Sequence, residues 1–250
     1  MLSLATRFYC TASYFRKTSS ALSIRCGTFK RLQTGCGTLW PVALEKRRMT
    51  PGKLILLNGT SCSGKTMIAT ALQSLLAEPY LTVSIGQFLC IRSTSADPGG
   101  DPGIAATVGA QQVANLHQTI LALANTGCNV IAEHTLLDPT WLRACATQLG
   151  ALTPLLVGVR CPLAVVEERA RLRGERQLKQ VRVQFARVHA HGVYDLEVDT
   201  GLLGPEECAR QIVRHLDEGP APHALAWLKA HTAPAKQRGW LRLPLSYEGY

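Results

Sequence analysis

The chain has 250 residues, a mass of 27.1 kDa and 46% hydrophobic composition, which suffices for one compact α/β domain with some additional chain. Its apolar runs are only as long as strands, so the sequence excludes a membrane span of ~18 or more apolar residues. The net charge of +10 is uneven, because residues 1–48 hold nine of the 27 basic residues and a single acidic residue, Glu45. The remainder therefore lacks the basic excess typical of a nucleic-acid-binding domain.

The leader, residues 1–48, is rich in Arg, Ser and Thr and lacks the apolar run of a secretory signal. Two interpretations remain open. The leader is a mitochondrial transit peptide, which predicts a mitochondrial protein, or it is upstream sequence read in frame before a start at Met49, which predicts a cytoplasmic protein. The nine cysteines contain no C-x-x-C motif, and their scattered spacing favours reduced thiols inside a cell.

The strongest pattern in the chain opens the predicted domain, residues 49–216. An apolar run at 53–58 is followed by the motif G-x-x-x-x-G-K-T and then by a helical pattern at 67–78. This order predicts a site for nucleotide phosphates, because the loop amides and the helix N-terminus both favour an anion. The predicted cofactor-binding residues are those of the loop: Gly59, Thr60, Ser61, Cys62, Ser63, Gly64, Lys65 and Thr66. Lys65 is expected to reach the β and γ phosphates of ATP, and the Thr66 hydroxyl is expected to bind Mg²⁺.

The later elements predict a three-layer P-loop NTPase fold, with a parallel sheet and helices on both faces. Strands are predicted at 81–85, 129–132, 155–161 and 194–198. Helices are predicted at 110–125, at 139–149, from Pro162, around 178–188 and from Pro205. Prolines mark a C-terminal tail, residues 217–250, with one helical run at 223–231.

Candidate catalytic residues follow the third predicted strand and the fourth predicted helix. Glu133 stands where an acid could orient Mg²⁺ through water or accept a proton from a hydroxyl, and the alternative is a structural carboxylate near a helix N-terminus. His134 is expected to be structural rather than a base. Arg171, Arg173 and Arg176 surround a glycine and predict a lid over the transferring phosphate, the alternative being a solvated helix face.

Beyond the glycine loop, the chain resembles the chloramphenicol phosphotransferase family of P-loop kinases over roughly residues 52–216. The resemblance rests on Glu78-Pro79 and on the segments LVGVRC at 156–161, RGER at 173–176, VH at 188–189 and GVYDLEVDT at 192–200. It implies a nucleoside-kinase-like fold and ATP-dependent phosphorylation of a small-molecule hydroxyl. It also implies that Lys65 binds phosphate, that Thr66 binds Mg²⁺, and that Arg173 and Arg176 are lid residues.

One position departs from the family pattern. The second strand of the family ends in an aspartate that activates the acceptor hydroxyl, and Gly86 stands at that position here. Because glycine cannot accept a proton, a rate loss of ~10²–10⁴ is expected unless another group substitutes. Glu133 is the first candidate for that group and His134 is the second.

Three functions are compatible with these features. The first is an ATP-dependent phosphotransferase that phosphorylates an unidentified small alcohol. The second is a protein of the same fold that binds ATP without catalysis, as Gly86 would favour, and the third is a regulatory NTPase. The expected partner is a small-molecule hydroxyl acceptor, and neither nucleic acid nor a membrane is expected.

Overall fold

The computed structural model of the protein describes residues 50–89 and 102–232. The predicted leader at 1–48, Met49 and residues 233–250 of the predicted tail lie outside the described residues. Five strands lie within these ranges: β1 (Leu54–Asn58), β2 (Tyr80–Ser84), β3 (Asn129–His134), β4 (Leu155–Arg160) and β5 (Leu196–Asp199). The same part of the chain contains eight α-helices: α1 (Lys65–Leu75), α2 (Ile85–Leu89), α3 (Pro102–Asn125), α4 (Pro139–Leu149), α5 (Leu163–Arg171), α6 (Glu175–Phe185), α7 (Pro205–Glu218) and α8 (Ala224–His231).

All the strand pairs are parallel, and the sheet order is β2-β3-β1-β4-β5. Within this register Leu57 of β1 lies beside Glu133 of β3, and Ser84 of β2 lies on the other side of Glu133. The carboxyl ends of three strands therefore meet at one edge of the sheet. Ligands of open α/β sheets bind at this edge, so the register positions the site.

The core lies on both faces of the sheet, which confirms the predicted three-layer arrangement. Strand β1 is buried along its whole length, with Leu54 and Leu56 facing one layer and Ile55 and Leu57 facing the other. Helices α3, α4 and α8 pack on the first face, and helices α1 and α7 pack on the second.

Several element boundaries differ from the sequence-based expectation, those of β2 and α3 among them. Strand β2 ends at Ser84, and the next residues form the short helix α2, so Gly86 lies in a helical turn just beyond the strand rather than at its end. Helix α3 begins at Pro102, well before residue 110, since proline is favoured at the first position of a helix.

The helical run predicted at 223–231 is confirmed as α8. Three of its side chains, Ala224, Leu225 and Leu228, are buried in the core on the α4 side of the sheet. None of the helices in the described part of the chain combines the length and the apolar composition needed to cross a bilayer.

Candidate active site

The glycine loop lies between β1 and α1, and its two glycines are required for different reasons. A Cβ on Gly59 would lie 2.6 Å from the carbonyl oxygen of Val159, so this position has no room for a side chain. Gly64 has a φ of 94°, in the left-handed region that glycine adopts without strain. Cys62 also has a positive φ, of 61°, and its side chain is buried. The loop backbone is thus tightly constrained before any ligand binds.

Lys65 lies inside this loop. Its Nζ donates hydrogen bonds to the carbonyl oxygens of Gly59 at 2.8 Å and Thr60 at 2.7 Å. Burial lowers the pKa of Lys65 from 10.5 to about 8, even though the nearby Glu133 carboxylate favours the charged form. The ammonium is therefore held where a bound polyphosphate would compete with two carbonyl groups for it.

Thr66 and Glu133 form the acidic corner of the site. The Thr66 hydroxyl donates a 2.7 Å hydrogen bond to Oε2 of the buried Glu133 side chain. A hydroxyl and a carboxylate are both oxygen ligands of the kind that Mg²⁺ prefers. The described residues contain no cluster of three His, Cys, Asp or Glu side chains suited to a metal. The oxygen ligands of the corner nevertheless fit the predicted ion.

A cleft of about 950 Å³ opens in front of the loop and collects most of the predicted residues. Its size is at the upper end of the ~300–1,000 Å³ range of ligand sites. From the loop it is lined by Ser61, Cys62, Gly64, Lys65 and Thr66. Across from the loop it is lined by Ser84, Ile85, Gly86, Glu133 and Thr135, and on the third side by Arg169, Arg173 and Thr200. Glu133 is the single carboxylate among the described lining residues.

The remaining loop residues support the loop from within. Gly59 and Thr60 hold Lys65 through their carbonyl oxygens, and the carbonyl oxygen of Ser63 accepts a 2.7 Å hydrogen bond from the Thr200 hydroxyl. The amide of Ser61 donates to Oε1 of the buried Gln184 at 2.7 Å. These four residues therefore shape the loop, and the Ser61 amide already has a partner in the protein.

The three arginines of the predicted lid do not share one environment. Arg173 is exposed and lines the cleft next to Gly174, whose φ of 112° allows the sharp turn between α5 and α6. Arg171 instead pairs with Glu168 at 2.9 Å and Glu167 at 3.8 Å on the helix surface, so the solvated-face interpretation applies to it. The side chain of Arg176 lies outside the described residues.

Arg169 is a site residue that the sequence analysis did not single out. Its Nη2 donates to the Thr200 carbonyl oxygen at 2.9 Å, and its Nη1 lies 3.4 Å from the Cys62 carbonyl oxygen. The side chain thus connects the glycine loop to the residue after β5. The signal that could have found it is its position in the last turn of the helix that leads to Arg171 and Arg173.

His134 is buried away from the cleft. Its Nδ1 accepts a hydrogen bond from the Thr135 amide at 2.8 Å, and its Nε2 lies 3.1 Å from Nε2 of His117. Burial lowers the pKa of both imidazoles, that of His117 to about 4, so both rings are neutral at pH 7. His134 is buried and does not line the cleft, which agrees with the structural role expected for it.

Gly86 lines the cleft, and the space beside it is open. A Cβ there would have Ser84 Oγ as its nearest neighbour, at 3.8 Å. No steric contact therefore demands glycine at this position. In the resembled family an aspartate stands at the position of Gly86. Here that wall of the cleft has no acid at residue 86, and its carboxylate is that of Glu133.

Asn58 fixes the strand end from which the loop starts. Its Nδ2 donates to the hydroxyl of Tyr194 at 2.8 Å and to the Val188 carbonyl oxygen at 2.9 Å, while its Oδ1 accepts from the Leu136 amide at 2.8 Å. The Tyr194 hydroxyl also lies 2.6 Å from Nδ1 of His189. One buried amide thus joins β1, the β3–α4 connection and the segment before β5.

The sheet order, the glycine loop at the end of β1 and the cleft together define a P-loop phosphotransferase of the kinase-like class. The chain belongs to the chloramphenicol phosphotransferase-like family, whose model matches residues 52–217. This match confirms the resemblance drawn from the sequence segments.

Two kinds of relative agree with the family. A Mycobacterium tuberculosis protein named "Putative O-phosphotransferase", present in strains H37Rv and CDC 1551, is 29% identical over 201 residues, covering 72% of this chain and 89% of its own. The crystal structure of an unliganded sugar kinase from Janibacter sp. HTCC2649 superposes with a TM-score of 0.50 and 19% identity over 68% of this chain and 98% of its own. The second similarity supports the P-loop kinase fold.

Proposed function

We propose that the protein transfers the γ-phosphoryl group of ATP to a hydroxyl group of a small molecule. The observation that carries the proposal is the position of Glu133, a buried carboxylate that touches Thr66 of the glycine loop and lines the same cleft as Gly86. A phosphate-binding loop and a carboxylate thus line one cleft of about 950 Å³.

In this reaction the hydroxyl oxygen of the acceptor attacks the γ-phosphorus, and the bond from that phosphorus to the β-γ bridging oxygen breaks. The products are ADP and a phosphate monoester, and the hydroxyl proton passes to the carboxylate of Glu133. A positioned general base contributes ~10²–10⁴-fold to such rates. Glu133 therefore acts as the general base, a role that Gly86 cannot fill because it has no side chain.

The cations of the cleft act on the phosphates. When ATP binds, its β and γ phosphate oxygens replace the carbonyl oxygens of Gly59 and Thr60 as the hydrogen-bond acceptors of Lys65 Nζ. Arg173 lines the cleft beside the turn at Gly174, where a guanidinium can neutralise charge on the transferring group. Mg²⁺, held by Thr66 with Glu133 beside it, would neutralise charge on the phosphate oxygens when bound.

The test is ADP formation by the purified full chain with ATP and Mg²⁺, with and without a panel of hydroxylated small molecules that includes chloramphenicol. The proposal predicts that at least one acceptor stimulates ADP formation and that Lys65→Ala abolishes it. The matched control is Lys179→Ala, which removes an exposed lysine of α6 and should retain the stimulated rate.

Gly86 favours a second candidate function, a nucleotide-binding protein without transferase activity. It predicts ATP binding with no ADP formation on any acceptor, and it predicts that Gly86→Asp creates turnover. Steady ADP formation that no acceptor changes would instead indicate a nucleotide hydrolase.

A further inference from the structure

A second cavity of about 320 Å³ lies on the face of the sheet that carries α4 and α8. It is bounded by the start of α4, the end of α8 and the turn after α6, and it shares no described lining residue with the cleft. The two spaces are nevertheless close, because Thr135 lines the cleft and the next residue, Leu136, lines the cavity. Its volume is at the lower end of the range for small-molecule sites, ~300–1,000 Å³.

One charged side chain on this wall, that of Arg187, pairs with no other side chain in the described part of the protein. Its Nη1 is buried and makes no hydrogen bond, and the side chain forms no ion pair among the described residues. Arg187 is also the one Lys or Arg among the described lining residues. Buried donors are normally paired, and a guanidinium matches carboxylate and phosphate oxygens well.

The rest of the wall suits an apolar body. The rings of Trp227 and His231 stack face to face with centroids 4.1 Å apart and an interplanar angle of 13°, and both residues line the cavity. Leu142 and Leu228 are buried beside it. A compact aromatic ring can pack against such a wall while a charged substituent reaches the guanidinium.

Asp138 is the acidic residue among the described residues that line the cavity, but it does not neutralise Arg187. Its Oδ1 accepts from the amide of Thr140 at 2.7 Å and from the Thr140 hydroxyl at 2.5 Å, so it is engaged as the cap of α4 and is not paired with Arg187. Residues 233–250 carry three basic residues and one acidic residue, so charge complementarity does not favour this segment as the partner of Arg187.

We propose that this cavity is a second binding site, separate from the nucleotide cleft, for a small aromatic anion whose carboxylate or phosphate group binds Arg187 and whose ring lies against Trp227. The acidic group comes from the ligand, and the protein provides one cation and an apolar surface. This site does not depend on phosphoryl transfer in the cleft.

The experiment is isothermal titration of the full chain with benzoate, phenyl phosphate and neutral benzamide, which has nearly the shape of benzoate. The expected result is that at least one anion binds about tenfold or more tightly than benzamide. The tighter of the two anions identifies the acidic group that the site prefers.

Two variants locate the binding. Arg187→Gln removes the cation and should reduce the affinity for the anion to that for benzamide, whereas Arg214→Gln removes an exposed arginine of α7 and should leave it unchanged. Ala190→Trp adds bulk at an exposed position on the cavity rim while keeping Arg187, and it should block binding even if Arg187→Gln fails to fold. Absence of anion binding at millimolar concentration, equal binding of benzamide, or anion binding that survives Ala190→Trp would overturn the proposal.

Discussion

The Thr66 hydroxyl and Oε2 of Glu133 lie 2.7 Å apart, which joins the first turn of α1 to the end of β3. The sheet register produces this contact, because Leu57 of β1 pairs with Glu133 and the glycine loop then turns over the end of β3. The phosphate-binding loop and a buried carboxylate consequently form a single corner of the cleft.

Replacement of the carboxylate tests its role in proton transfer. Glu133→Gln keeps the shape of the side chain and an oxygen for the Thr66 hydroxyl, but an amide cannot accept the acceptor proton. The acceptor-stimulated rate should fall by ~10²–10⁴, while ATP remains bound. ADP formation and calorimetric ATP titration measure the two effects. Glu197→Gln, at an exposed ion pair with Arg160, is the control and should keep the full rate. Full turnover by Glu133→Gln would refute the assigned role.

The depressed pKa of Lys65 predicts how nucleotide affinity depends on pH. In the free protein burial lowers this pKa to about 8, and bound phosphate favours the charged ammonium, so binding raises the pKa again. Nucleotide binding should therefore take up a proton, and affinity should fall as the pH rises above about 8, by at most about tenfold per pH unit. Titrations in buffers with different ionisation enthalpies measure the proton uptake.

Two lysine variants check that Lys65 causes this dependence. Lys65→Ala should abolish the proton uptake, whereas Lys179→Ala should preserve it. An affinity that stays constant from about pH 7 to about pH 9 would contradict the assignment, because a group with a pKa of about 8 changes charge within that interval.

The open space at Gly86 predicts a rescue experiment. The Cβ of an aspartate at this position has open space beside it, because outside the local helix backbone the nearest heavy atom is Ser84 Oγ at 3.8 Å. In the Glu133→Gln background, Gly86→Asp should restore the stimulated rate by about tenfold or more, since both positions line the same wall. Gly150→Asp is a matched control, because no atom lies within 4 Å of its added Cβ and it lies outside the cleft. Rescue by both variants, or by neither, would argue against the idea that a carboxylate at residue 86 can replace Glu133 beside the acceptor.

The hydrogen bonds of Asn58 predict a stability effect. Tyr194→Phe removes the hydroxyl that accepts from Asn58 Nδ2 and contacts His189, which should lower the free energy of unfolding by about 1–3 kcal/mol. Chemical denaturation measures the loss. Tyr80→Phe is the control, because the Tyr80 hydroxyl makes no hydrogen bond among the described residues, and it should change stability much less. Equal effects of the two substitutions would show that the network contributes little.

Local patterns predicted the parts of the site that depend on short stretches of chain. The apolar run before Gly59 and the motif that follows it determined the first strand, the loop and the position of Lys65, because each of these needs only neighbouring residues. Glu133 was found because a buried strand ends there, and strand ends of parallel sheets lie at the ligand edge.

Contacts between distant segments were not predictable in the same way. Gln184 reaches the Ser61 amide across 123 positions, and nothing in the amphipathic pattern of α6 distinguishes it from an exposed glutamine. Arg173 lines the cleft, whereas Arg171 pairs with Glu168 on the helix surface. This difference depends on the direction of each side chain at the end of α5, which composition does not reveal. Gly86 was expected at a strand end, but Ile85 begins a short helix, so Gly86 lies in the first turn of that helix.

The most direct test of the central claim follows the phosphoryl group itself. The full chain is incubated with γ-labelled ATP, Mg²⁺ and each hydroxylated acceptor, and the acceptor is then analysed by mass spectrometry. A labelled phosphate monoester of one acceptor should form together with ADP and should be absent with Lys65→Ala. Label found only in inorganic phosphate, or ATP that stays bound and intact with every acceptor, would contradict a phosphotransferase acting on a small-molecule hydroxyl.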